Sequence, residues 1–124
     1  METMPIQVKT RKLGANLAAV EIIGDCDVYT TPQAKQAVQE LIEQGYCFLV
    51  IALAQTAYMD STALGMLVGS LKRVREQKGD LALVSPQARV QRLLDVTRLN
   101  KVFDVFATEE EAIEALRQRG AKMP

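Results

Sequence analysis

The run Cys47-Phe48-Leu49-Val50-Ile51-Ala52-Leu53 constrains this chain more than any other segment. An unbroken apolar run leaves no polar face, so a strand built from it must be covered on both sides. It is too short to cross a bilayer, because even the stretch from Tyr46 to Ala54 falls far below the ~20 residues that a spanning helix needs. A central strand in a sheet with helices on both faces satisfies both facts.

The flanking segments fit that frame. Ile6, Val8 and Thr10 alternate with polar residues, and Leu17 to Ile23 reads as a second strand after Gly14-Ala15-Asn16, so the two are predicted to form a hairpin. Thr31 offers an N-cap with Pro32 at the first helical position, and that helix is predicted to reach Gln44, with Gly45 closing it. Ala54 to Met59 reads as a loop. A second helix begins within Asp60-Ser61-Thr62 and ends near Gln77, with Gly79 as its stop signal and Leu64, Leu67, Val68, Leu71 and Val74 as its buried stripe. Leu81 to Val84 is a strand, and Ser85-Pro86 opens a helix carrying Val90, Leu93, Leu94 and Val96. Val102 to Phe106 is a last short strand. Thr108 with Glu111 is a capping-box pattern for the final helix, and Glu109, Glu110 and Glu111 suit its positive end. Gly120 to Pro124 is expected to fray.

Helices and strands alternate from Pro32 onward, which predicts right-handed crossovers. The fold class is therefore α/β: a mixed, mainly parallel sheet of four to five strands with about four helices, in one domain over residues 1–124.

Histidine is absent from the sequence, which removes the commonest general base and the commonest metal ligand together. No Ser-His or Cys-His nucleophile can form, and two cysteines alone make no zinc site. Neither a metal nor a cofactor is expected. Fifteen basic and fifteen acidic residues give a formal net charge of zero, which argues against direct nucleic-acid binding and against an anionic membrane as the main partner. Met1-Glu2-Thr3-Met4-Pro5 lacks the basic and apolar regions of a secretory leader. Cys26 and Cys47 accordingly read as reduced, half-buried thiols, and the cytoplasm is the expected compartment. Acids on both sides of Cys26 are expected to raise its pKa and keep it unreactive.

Attention falls on Asp60, Ser61 and Thr62. Loops at the carboxyl ends of parallel strands are where ligands and partners are met, and a helix N-terminus tolerates an added phosphate. Each of the three is also an ordinary capping residue. Gly65 and Gly69 lie four and eight residues after Ser61, on the same helix face. Each costs about 1 kcal/mol relative to alanine in a helix interior, so a close neighbour is expected there: the protein's own sheet, or a partner docked along the strip from Ser61 to Gly69.

At these residues the sequence resembles the anti-sigma factor antagonists of the STAS domain class. Tyr58-Met59-Asp60-Ser61-Thr62-Ala63-Leu64-Gly65 is similar to the family's Met-Asp-Ser turn into a helix, Gly24-Asp25-Cys26-Asp27 to its upstream Gly-Glu-x-Asp element, and Arg92 to Leu99 to its late helix. The resemblance implies a STAS-like fold and a non-enzymatic role in partner switching. The unphosphorylated antagonist would bind an anti-sigma factor that is also a serine kinase, phosphorylation of Ser61 would end that binding, and a metal-dependent serine phosphatase would reverse it. The partner-binding set it implies is Asp27, Met59, Asp60, Ser61, Thr62, Gly65 and Gly69. Asp60 or Asp27 would hold the Ser61 hydroxyl or face a basic group on the kinase. The chain departs from the family pattern at Ala63, which places a methyl near the expected contact where glycine is usual. It departs also at Ala52 for Asp, Arg98 for a glycine, and Asp25 for Glu.

Other features have plainer readings. Lys72, Arg73, Arg75 and Lys78 suit a helix C-terminus. Arg89, Arg92, Arg98 and Lys101 suit a solvated face or a rim for an acidic partner. The alternative function is a STAS-type binding or scaffold module without phosphorylation, sensing a nucleotide or lipid. An enzyme using Asp27, Asp60 and Ser61 lacks a group to activate the serine.

Overall fold

A computed structural model describes residues 5–123. The expectation about a leader falls on residues of which 1–4 lie outside that range, as does Pro124 of the expected frayed end.

Seven strands and four α-helices follow one another: β1 (Gln7–Lys12), β2 (Leu17–Ile23), β3 (Asp25–Cys26), α1 (Thr31–Glu43), β4 (Phe48–Ala52), β5 (Tyr58–Met59), α2 (Ser61–Glu76), β6 (Asp80–Val84), α3 (Ala88–Val96), β7 (Asp104–Phe106) and α4 (Glu109–Gln118). A 3-10 turn over Leu99–Lys101 separates α3 from β7. The main sheet has the order β1-β2-β4-β6-β7, with β1 antiparallel to β2 and every other neighbour parallel. The predicted α/β class and the hairpin are present, and the mixed sheet has five strands, within the expected four to five.

β4 is the covered central strand that its composition demanded. Leu49 and Ile51 join β2, β6 and the apolar faces of α1, α2 and α3 in one core. Phe48 and Val50 face the other way and meet Ala112 and Leu116 of α4. Alternation within the strand, with no polar residue on either side, is the signature of a sheet buried on both faces.

Several boundaries differ from expectation. Thr30, not Thr31, is the residue before α1, so Pro32 sits one position further into the first turn. The Thr30 hydroxyl donates to the Asp25 carbonyl at 2.7 Å instead of capping the helix. Val68 is 36% exposed, whereas Met66 and Ser70 are buried beside Leu67 and Leu71. The stripe of α2 is therefore rotated, and the Ser70 hydroxyl is satisfied by the Met66 carbonyl at 2.8 Å. The helix stops with Lys78 in the left-handed conformation at φ 64°. Gly79 is needed for a different reason: a Cβ there would lie 1.7 Å from the Cys47 carbonyl oxygen. Helix α3 starts at Ala88, because the chain turns at Ser85 with φ 52°. Cys26 is fully buried, not half-buried, and both cysteines are free.

The expected fraying does not occur over Gly120 to Lys122. Ala121 is buried, the Asn16 carboxamide oxygen accepts the Lys122 N–H at 2.7 Å, and the Ala15 N–H donates to the Lys122 carbonyl at 3.0 Å. These bonds lock the segment onto the β1–β2 turn. No helix among the described residues is long and apolar enough to cross a membrane.

Candidate functional site

The segment Ala54 to Met59 is not simply a loop. Thr56, buried, donates its hydroxyl to the Ile22 carbonyl at 2.7 Å, and the Gln55 carbonyl accepts the Gly24 N–H at 2.9 Å. This tether sets Tyr58–Met59 alongside Asp25–Cys26 as a two-stranded parallel sheet, with Asp25 opposite Tyr58 and Cys26 opposite Met59. The Asp60 N–H adds a further bond to the Cys26 carbonyl at 3.2 Å. Asp27 and Asp60, 33 positions apart in sequence, thus follow adjacent, paired strand ends.

Both carboxylates have local work. Asp60 is the N-cap of α2, and its Oδ1 accepts the Ala63 N–H at 3.0 Å. Asp27 Oδ1 accepts the N–H groups of Tyr29 at 2.9 Å and Thr30 at 3.0 Å, which holds the loop into α1. Desolvation pushes the Asp27 pKa up, but the hydrogen bonds from Tyr29 and Thr30 outweigh it and hold the carboxyl below its ordinary value. Neither acid holds the Ser61 hydroxyl, so that expected contact is absent among the described residues. Burial raises the Cys26 thiol pKa most, the hydrogen bond with Thr31 opposes it, and Asp60 and Asp27 add to the rise. Of the two acids flanking Cys26 in sequence, only Asp27 contributes to the expected rise, and it does so less than burial.

Ser61 is the first residue of α2 and is exposed. With Asp60 acting as the cap, its hydroxyl has no partner among the described residues. Thr62 is exposed beside it. Gly65 and Gly69 follow on the same face, and a Cβ built at either would meet nothing within 4 Å. The protein's own sheet is therefore not the close neighbour that these glycines accommodate. They border a groove of about 610 Å³ between α1 and α2, with Pro32 and Lys35 on one wall and Arg73 at an end.

Two of the sequence expectations change. Met59 is only 3% exposed and packs into the core, so it supports the site from beneath, and Tyr58 is the residue that presents its side chain. Ala63 is fully buried, so its methyl points inward and not toward the expected contact. A second groove, of about 430 Å³, lies on the other side of Ser61 and is bounded by Tyr58, Arg89, Arg92 and Val96. The sequence reads Arg89 and Arg92 as a solvated face or a rim for an acidic partner, and the fold places them in one groove with Ser61. Among the described residues no group of three or more His, Cys, Asp or Glu stands where it could hold a metal ion.

The STAS domain model matches residues 7–112. The anti-sigma-B factor antagonist of Bacillus subtilis is 39% identical over 103 residues, covering 83% of this chain and 94% of the relative. That of Listeria monocytogenes is 30% identical over 108 residues, covering 87% and 95%. The crystal structure of the Thermotoga maritima protein TM1081 superposes with a TM-score of 0.81 at 26% identity, covering 90% of this chain and 94% of that one.

Proposed function

Because this chain belongs to the STAS domain family, in its anti-sigma factor antagonist branch, we propose that it is a switch protein controlled by phosphorylation of Ser61. In its unphosphorylated form it binds an anti-sigma factor that is also a serine kinase, and so releases the sigma factor. The contact surface runs from Asp27 and Asp60 through Ser61 and Thr62 to Gly65 and Gly69.

The observation that carries this reading is the division of labour at the start of α2. Asp60 caps the helix, which leaves the neighbouring Ser61 hydroxyl exposed and uncommitted. A serine needed as a cap would be a poor substrate, since modification would cost the helix its cap. The open strip at Gly65 and Gly69 supports the same reading, because two glycines in a helix need an external reason.

In the kinase step the Ser61 Oγ forms a bond to the γ-phosphorus of ATP. The bond from that phosphorus to the bridging oxygen of ADP breaks, and the hydroxyl proton passes to a base on the kinase. A metal-dependent phosphatase reverses the modification: water attacks the phosphorus, inorganic phosphate leaves, and the hydroxyl is restored. Catalysis in both directions belongs to the partners, and this chain supplies the hydroxyl and the surface. Phosphorylation adds about −1.5 to −2 charges at neutral pH, next to Asp60, at a contact that must be desolvated. A loss of about 3 kcal/mol, or a hundredfold in affinity, follows from such a change.

The test is binding of the anti-sigma factor by Ser61→Ala and Ser61→Asp. Durable binding by the alanine variant with at least tenfold weaker binding by the aspartate variant supports the reading. Equal binding by both contradicts it.

A further inference from the structure

On the α3 side of Ser61, the groove of about 430 Å³ is lined by Ser61 together with Arg89 and Arg92. The two arginines are three residues apart on α3, and Leu93 and Val96 on the same face line the groove with them. Val90 and Leu94 point the other way into the core, so α3 is anchored by one face and presents the other to Ser61. Both guanidinium-bearing residues are exposed. Among the described residues, neither takes part in an ion pair. Asp60, the acid in the same groove, has its Oδ1 turned to the Ala63 N–H.

A basic pair with no acid assigned to it, in one groove with an uncommitted hydroxyl, suits a group that is not always present. Arginine presents a planar fork of N–H donors that matches phosphate oxygens two at a time. Resting on the reading of Ser61 as a phosphorylated residue, we propose that Arg89 and Arg92 form an intramolecular receiving site for the phosphate monoester on Ser61. The modified serine is drawn across the groove onto α3 and away from the Asp25–Asp27 edge. The phosphate then does more than repel a partner: it fills the space between Ser61, Tyr58 and Val96 and neutralises the two cations. Dephosphorylation empties the groove and returns both arginines to the surface.

The experiment places phosphoserine at position 61 during synthesis, so that no kinase is needed, and follows its phosphorus NMR signal with pH. Phosphoserine has a second pKa of about 6, and nearby cations lower it. The phosphorylated protein is expected to titrate about one unit lower, and the Arg89→Gln/Arg92→Gln double variant to return to the free value. Arg89→Lys/Arg92→Lys is expected to fall between, since it keeps charge and loses the fork. As a readout without substitution at α3, the arginine side-chain N–H signals of positions 89 and 92 shift when Ser61 carries phosphate. An ordinary second pKa that the double variant leaves unchanged, or unmoved arginine signals, overturns the proposal. Failure of a cognate kinase to modify Ser61 would instead count against the proposed function, and this titration would be unaffected by it.

Discussion

The Asp60 carboxylate accepts the Ala63 N–H at 3.0 Å, and this bond separates the structural role at the start of α2 from the chemical one. Asp60 fixes the helix, and the Ser61 hydroxyl beside it is left without a partner among the described residues. Asp60→Ala is therefore expected to cost about 1 kcal/mol of stability, a fall in Tm of about 3–6 °C. Asp60→Asn retains an acceptor and most of that stability, and Ser61→Ala changes it by no more than about 0.5 kcal/mol. Thermal unfolding of the three variants checks the division. Equal losses at positions 60 and 61 would contradict it.

Gly65 and Gly69 make the opposite kind of prediction. A Cβ at either position enters open space, so Gly65→Ala and Gly69→Ala should each stabilise the isolated protein by up to about 1 kcal/mol. On the proposed contact surface the added methyl would meet the partner, so each should also weaken binding of the anti-sigma factor. Stability and affinity moving in opposite directions is the diagnostic result, read by denaturation and by calorimetric titration.

Arg98 occupies a left-handed backbone conformation, with φ 62° and ψ 15°. A side chain costs roughly 1–2 kcal/mol in that region. Arg98→Gly is expected to raise stability by about 1 kcal/mol, seen as a higher midpoint in urea with an unchanged slope. Gly79→Ala, in contrast, drives a Cβ against the Cys47 carbonyl and should cost about 1–3 kcal/mol.

The lowered pKa of Asp27 gives a pH dependence with a definite sign. Its folded value lies below the ordinary 3.8, so between the two values the unfolded chain holds more protons. The stabilisation is present above the unfolded value and is lost as the pH falls through the folded one. Asp27→Asn keeps an acceptor for Tyr29 and Thr30 without the titration. Its stability should therefore decline less steeply than that of the parent protein below about pH 4, measured by denaturant unfolding across that range.

Much of this architecture is legible in the sequence because it is written in local patterns. The unbroken run at Phe48–Ala52 demands cover on both faces. The Thr108 side chain accepts the Glu111 N–H at 3.2 Å, as the pattern Thr-x-x-Glu predicts. What was not legible depends on long-range contacts. The β3–β5 pairing rests on Thr56 reaching Ile22, 34 residues away, and two-residue strands carry no periodicity. Val68 has the right spacing for the core, yet Met66 and Ser70, on the side of α2 that faces α1, are buried in its place. At the site, chemistry and spacing single out Asp60, Ser61 and the two glycines as candidates. Met59 was misplaced because apolar residues beside a site do not reveal which way they face. That Arg89 and Arg92 line one groove with Ser61 is not legible in the sequence, since a groove between α3 and β5 exists only once both are packed.

The central claim is that Ser61 is a substrate. Incubating the protein with its anti-sigma factor kinase and ATP, then locating the phosphate by peptide mass spectrometry, tests it most directly. One phosphate per chain on Ser61, with none acquired by Ser61→Ala, is the expected result. Transfer to a different residue, or no transfer by a kinase that binds this chain, would contradict it.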